Sequence, residues 1–230
     1  MHIGGLLKFS LIDFPGKMAA VIFTQGCNYR CPFCHNPALV LPELFQAPLA
    51  EDDVLEFLER RKDQLQGVVV TGGEPTLHND LPSFLKKIKS FGYLIKLDTN
   101  GSRPDVLRDI VEAGLVDFLA MDIKSSEEGY CQATGISPDI TAVKESIRII
   151  KGSGLAYQFR TTVLRKLVSP EDLKAIQELI GGDTVYRIQK GNLKGKILDF
   201  GFLADDPDYT SEEFDRLREA YSRTGQVVGE

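Results

Sequence analysis

The chain has 230 residues, 43% of them hydrophobic and 26% charged, with a formal net charge of -6. That is enough apolar material for one buried core, while the mild acidity lacks the basic excess with which a nucleic-acid-binding surface meets phosphate, so no polynucleotide partner is expected. The opening stretch MHIGGLLKFSLIDFPGK carries no charged segment followed by a long apolar run, and no window approaches a bilayer span, so a cytoplasmic protein without membrane contact is expected.

We read one domain over 1–230, with an N-terminal extension at 1–18, six strand–helix units over 19–191, and a C-terminal extension with a helix over 192–230. From Ala19 onward, runs rich in β-branched and aromatic residues predict strands at 19–26 (AAVIFTQG), 67–73 (GVVVTGG), 93–101 (YLIKLDTNG), 116–124 (VDFLAMDIK), 156–164 (AYQFRTTVL) and 184–191 (TVYRIQKG). Between them DDVLEFLERRKDQL, LPSFLKKIKSFG, PDVLRDIVEAG, AVKESIRIIKGSG and PEDLKAIQELIGG repeat apolar residues at three and four spacings, which predicts helices. Ser169 before Pro170 reads as an N-cap with proline at the first helical position, and Thr210 with Glu213 as a capping box opening a C-terminal helix. This alternation calls for an α/β fold with a parallel sheet. Six units are too few for a closed eight-stranded barrel, which leaves a partial, laterally open (β/α)6 TIM-type barrel or a flatter doubly wound sheet. In either, ligands bind at the C-terminal ends of the strands.

Three of the four cysteines, Cys27, Cys31 and Cys34, form a C-x-x-x-C-x-x-C loop at the end of the first predicted strand, while Cys131 stands apart in EEGYCQATG and reads as a bystander. Clustered thiols in a chain expected to be cytoplasmic point to a metal more than to cross-links. A structural zinc site wants four protein ligands and an electron-transfer cubane four cysteines, yet the loop holds three. A three-thiolate cubane leaves one iron open, as a substrate-binding cluster requires. Zinc held by the three with His35 or Cys131, or three plain core cysteines, are the alternatives.

The other strand ends are also unusual. TGGEP (71–75) places Gly72 and Gly73 where backbone can approach a ligand that a Cβ would exclude. By period-two alternation Lys96, Asp98 and Asn100 share one face, as do Ala120, Asp122 and Lys124, and neighbouring strands bring Asp98 and Asp122 together. Two such carboxylates want a cation, unless they cap the helices after them. Lys96 is a candidate partner. Arg160 alternates with Gln158 and Thr162, and Arg187 with Gln189, on faces that could turn inward. His2, His35 and His78 form no ligand set by spacing.

Taken in order, these motifs resemble the radical S-adenosylmethionine (SAM) superfamily. The resemblance implies that Cys27, Cys31 and Cys34 ligate one [4Fe-4S] cluster whose open iron is chelated by SAM, and Phe33 matches the aromatic residue before the last cysteine. It further implies a SAM site built from Gly72, Gly73, Glu74, Asp98, Asn100, Asp122, Lys124 and Arg160, with Gln189 near the ribose. In the activating enzymes of glycyl radical enzymes, the residues matching Asp98, Thr99, the carbonyl of Ala120, and Asp122 bind a monovalent cation. From IGGLLKFSLIDFPGK through TGGEPTL, LDTNG and MDIK, the chain is similar to the anaerobic ribonucleoside-triphosphate reductase activating protein family over most of its first 165 residues. That similarity implies an oxidoreductase that cleaves SAM reductively to a 5′-deoxyadenosyl radical and abstracts hydrogen from a glycine of a partner glycyl radical enzyme, anaerobic ribonucleotide reductase. With no second cysteine cluster, its electrons come from a flavodoxin or ferredoxin. A small-molecule radical SAM enzyme of the deazapurine-synthesis type and a zinc-stabilised binding module are the rival readings. Because the cysteine loop is expected at the mouth and outside the core, Cys31→Ala is expected to leave the fold largely intact.

Overall fold

The computed structural model describes residues 1–193, 195–205 and 208–223. Seven strands form one sheet in chain order: β1 (Ile3–Ser10), β2 (Ala19–Thr24), β3 (Gly67–Gly72), β4 (Leu94–Thr99), β5 (Phe118–Asp122), β6 (Ala156–Val163) and β7 (Tyr186–Lys190). β1 runs antiparallel to β2, and every later pair is parallel. A doubly wound sheet reverses its strand order at a switch point. No reversal occurs here, and β1 and β7 remain as two unjoined edges, so the sheet is a partial barrel, open on one side.

The helices are α1 (Pro37–Val40), α2 (Glu51–Arg61), α3 (Leu81–Ser90), α4 (Pro104–Glu112), α5 (Tyr130–Thr134), α6 (Ile140–Gly152), α7 (Pro170–Ile180), α8 (Phe200–Leu203) and α9 (Ser211–Tyr221). Their buried stripes recur at helical spacing: Val54 and Leu58 on α2, Phe84, Leu85 and Ile88 on α3, Val143, Ile147 and Ile150 on α6. These pack against the outward strand residues Ile22, Val68, Val70, Ile95, Leu97, Leu119 and Phe159 to make the main core. Both anticipated caps are present, Ser169 with Asp172 before α7 and Thr210 with Glu213 before α9, each as a reciprocal capping box. No helix among the described residues is long and apolar enough to cross a membrane.

Residues 1–18 contribute structure that the sequence pattern does not announce. β1 pairs through Gly5 opposite Phe23 and leaves Leu7 and Phe9 exposed, so its apolar residues do not alternate with polar ones as a half-buried strand's would. Beyond it, Phe14 turns into the lumen and packs with Ala19, Val21, Val69, Phe118 and Ala120 as a floor. The Phe14 and Phe118 rings meet edge-on at 5.9 Å. Above that floor the inward positions of β5 and β6 become polar: Phe118, Ala120 and Asp122 on β5, beside Ala156, Gln158 and Arg160 on β6. The floor is apolar except for buried Lys96, which is in register with Val69 and Phe118 and pairs with Asp98 above it, and the other charges gather at the C-terminal ends.

Candidate active site

Beyond β2 the chain turns at Gly26, whose φ of +96° suits glycine, and enters the cysteine loop. Foreign segments hold this loop from several sides. Gly73 N–H donates to Thr24 O and Glu74 N–H to Gly26 O, both at 2.8 Å; Arg30 N–H reaches Thr134 O, at the end of α5, at 2.7 Å. The Asn100 amide donates to Asn28 Oδ1 at 2.9 Å. From the C-terminal region, Leu198 N–H and Asp199 N–H bind the carbonyls of Cys34 and Pro32, each at 3.0 Å. Tyr29, Cys31 and Phe33 are buried and belong to the main core, which corrects the expectation that this loop lies outside it.

The three thiols line one cavity of about 260 Å³ together with Phe33, Gly72, Gly73, Glu74, Asp98, Thr99, Asn100, Asp122, Lys124 and Arg160. Burial pushes the Cys27 thiol up to about 12 against its bond from the Tyr29 N–H, and the Cys31 thiol up to about 11 against the pull of Lys124. Both are therefore neutral thiols until a metal displaces their protons. Among the described residues no group of three or more His, Cys, Asp or Glu side chains is gathered around a single-ion position.

Glycine is required at 72 and 73 for a reason other than ligand approach. A Cβ on Gly72 would overlap the Thr24 backbone, and one on Gly73 the Gly26 carbonyl, so the two glycines let β3 close against the root of the cysteine loop. Glu74 is likewise turned into the protein. Its carboxylate, on a residue 1% exposed, accepts from Thr76 N–H at 3.1 Å, the Thr76 hydroxyl, the Thr99 hydroxyl at 2.8 Å and Asn100 N–H at 2.6 Å. Burial raises this carboxyl while the four donors pull it down. It staples the ends of β3 and β4.

Asp98 and Asp122 do come together, but the chain supplies their counter-charge. In register with Asp122, Arg160 donates from Nε to Asp122 Oδ1 at 2.8 Å and from Nη1 to Asp98 Oδ2 at 3.2 Å. Lys124 pairs with Asp122 at 3.1 Å, and buried Lys96 pairs with Asp98. Burial alone would raise Asp122, yet Arg160 and Lys124 hold it well below the usual carboxylate range. Burial lowers Lys96 against the pull of Asp98. Of the groups expected to hold a monovalent cation, Asp98 and Asp122 are spanned by Arg160, and the Thr99 hydroxyl donates to Glu74.

Arg187 and Gln189 pair with Arg160 and Thr162 and so face the lumen side as anticipated, but at the open edge, where both are exposed. Gln189 does not line the cavity, whereas Tyr29, His35, Asn36, Val40, Thr71 and Thr162 do. Nothing in spacing marks Tyr29 or Val40. His78 is turned away, its ring bonded to Gln25 O at 2.9 Å, and Cys131 is exposed on α5.

Residues 21–180 match the profile of the radical SAM superfamily. A Methanocaldococcus jannaschii protein provisionally named as a glycyl-radical enzyme activating enzyme is 32% identical over 195 residues, covering 82% of this chain and 79% of the relative. A 7-carboxy-7-deazaguanine synthase of Hyperthermus butylicus is 36% identical over 97 residues, 42% of this chain and 40% of the synthase. Among solved structures, Streptococcus suis SuiB bound to S-adenosylmethionine superposes with a TM-score of 0.66 at 16% identity, over 87% of this chain and 45% of SuiB, a likeness of fold. The chain thus spans less than half the length of the last two. Membership of that superfamily removes the zinc-stabilised module as a reading.

Proposed function

The chain belongs to the radical SAM superfamily, and from that premise we propose that it activates a glycyl radical enzyme, anaerobic ribonucleotide reductase, by abstracting hydrogen from a glycine Cα. The observation that carries the reading is the sharing of one cavity by three cysteine thiols and the charged ends of β4, β5 and β6. Supporting the activating role are the M. jannaschii relative, matched over about four-fifths of both chains, and the gap between β1 and β7, wide of the closed barrel that would bar a protein loop.

The donor set fits the cofactors. Three thiols line the cavity without a fourth cysteine, since Cys131 is exposed elsewhere, which suits a cluster with one open iron. When bound, a [4Fe-4S] cluster and SAM supply one-electron cleavage of the sulfonium, giving methionine and a 5′-deoxyadenosyl radical that takes the glycine hydrogen. Cys27, Cys31 and Cys34 hold the cluster. Lys124 and Arg160 offer positive charge to the methionine carboxylate, while Asp98, Asp122 and Asn100 orient those cations and the cysteine loop. The backbone at Gly72 and Gly73 forms the wall that meets the methionine end. Phe33, whose ring lies 5.9 Å from the Lys124 ammonium, keeps water from the thiols on that side. The electron arrives from a flavodoxin or ferredoxin.

Anaerobic reconstitution with iron and sulfide, followed by dithionite and SAM, tests the reading. The expected result is 5′-deoxyadenosine, lost in Cys31→Ala, and a glycine-centred EPR signal when the reductase is added. Deoxyadenosine without that signal would remove the activating role alone. A protein that neither holds iron nor cleaves SAM would remove both. The match to the deazaguanine synthase favours a second reading, a small-molecule enzyme, which coupled turnover of a deazapurine precursor without any protein partner would select.

A further inference from the structure

Gln158 lies on β6 between Ala156 and Arg160, in register with Ala120 of the lumen floor, and is 8% exposed. Its side-chain amide makes no hydrogen bond among the described residues, yet neither its oxygen nor its nitrogen is sealed from solvent. Buried amides are ordinarily bonded, because one left without partners weakens the fold that encloses it. The charged groups above it are already engaged. Asp98 gives one oxygen to Lys96 and the other to Arg160, and Asp122 gives one to Arg160 and the other to Lys124. Arg187, in register with Arg160, carries only donors, so the amide NH2 finds no acceptor there.

The position suits a ligand that enters through the open side. Gln158 does not line the cysteine cavity, whereas Arg160 and Thr162, the next two lumen-facing residues of β6, do. It lies about 7 Å deeper along the strand than Arg160. Its lumen neighbours Ala156 and Ala120 are small and leave space around the amide. On the other flank the edge strand is only beginning: β7 starts at Tyr186, opposite Phe159, and the Phe159 N–H takes the carbonyl of Val185 at 2.9 Å. One strand therefore separates Gln158 from the gap between β1 and β7.

Resting on the activating role proposed above, we propose that the Gln158 amide hydrogen-bonds a peptide unit of the glycine-bearing segment that enters through this gap. A side-chain amide offers an acceptor and donors in one plane, the complement of a peptide N–H and C=O, and a glycine has no side chain to hold its backbone away. The alanines on either side leave the place that such a backbone takes.

Gln158→Met keeps the length of the side chain and removes both polar atoms. In the reconstituted full chain, with anaerobic ribonucleotide reductase titrated in and the glycine-centred EPR signal followed, the KM for the reductase should rise about tenfold, the loss of one or two neutral hydrogen bonds, while the KM for SAM stays that of wild type. An unchanged KM for the reductase overturns the proposal. A raised KM for SAM also overturns it, by giving the amide to the cofactor. A wild type that cleaves SAM and leaves no glycine radical shows instead that the activating role has failed, and the proposal with it. Iron-free protein supplies a measurement independent of activity, because removal of an amide without a protein partner should leave the unfolding midpoint equal to or above that of wild type. A lower midpoint would reveal a bond within the protein and overturn the proposal on its own.

Discussion

Glu74 brings a carboxylate into a place closed to water, and its value lies in the four donors aimed at it. Glu74→Gln would turn an amide NH2 against hydroxyl and N–H donors, leaving at least one of them unpaired, and should cost about 2–3 kcal/mol in chemical denaturation. Cys31→Ala acts differently. Because Cys31 is a small buried member of the core, the change should lower stability by about 1 kcal/mol while far-UV circular dichroism stays native and iron binding is lost. At this scale much of the site was legible: strand-end residues with odd polar character, from the cysteines to Arg160, do line one cavity. The direction of each side chain was not. Alternation tells which face a residue takes, but whether Glu74 meets a ligand or four protein donors depends on Thr76, Thr99 and Asn100, which arrive from another turn and another strand.

The helices between the parallel strands were readable because each carries its own apolar stripe and stop signal. α7 shows how local that information is. Ser169 accepts from Asp172 N–H at 3.1 Å, and Asp172 accepts from Ser169 N–H at 2.8 Å and from the Ser126 hydroxyl. Ser169→Ala should therefore cost about 1 kcal/mol, read as a lower unfolding midpoint. Burial would raise the Asp172 carboxyl, but its hydroxyl and N–H donors hold it below the ordinary value. A lowered folded pKa gives a contribution that is complete above the unfolded value of about 4 and fades as pH falls through the folded one. The gap in stability between wild type and Asp172→Asn should accordingly be widest near neutrality and narrow in acid. β1 and the five-residue α5 escaped notice for the opposite reason. Neither has a periodic pattern of its own, and each is made by what it packs against: β1 by β2, and α5 by the Arg30 N–H at its end.

Across the molecule, the barrel works because its floor is sealed by a residue from outside the repeating units. Phe14 enters from the loop after β1, and Gly67 leaves the room its ring needs. Phe14→Ala should cost about 3–5 kcal/mol in denaturant unfolding, by opening a cavity under the polar layer. Nothing in six strand–helix units foretells that plug, since a lumen is a property of all strands together. The same breadth governs the cysteine loop, whose carbonyls at Pro32 and Cys34 are met by amides at 198 and 199. In synthesis the loop follows directly on β2, whereas the segments that bind it, at Gly73, Glu74, Asn100, Thr134, Leu198 and Asp199, all come later in the chain. A chain arrested before residue 198 would present the thiols on a loop that lacks its last two backbone bonds, and is expected to take up iron less firmly than the full chain.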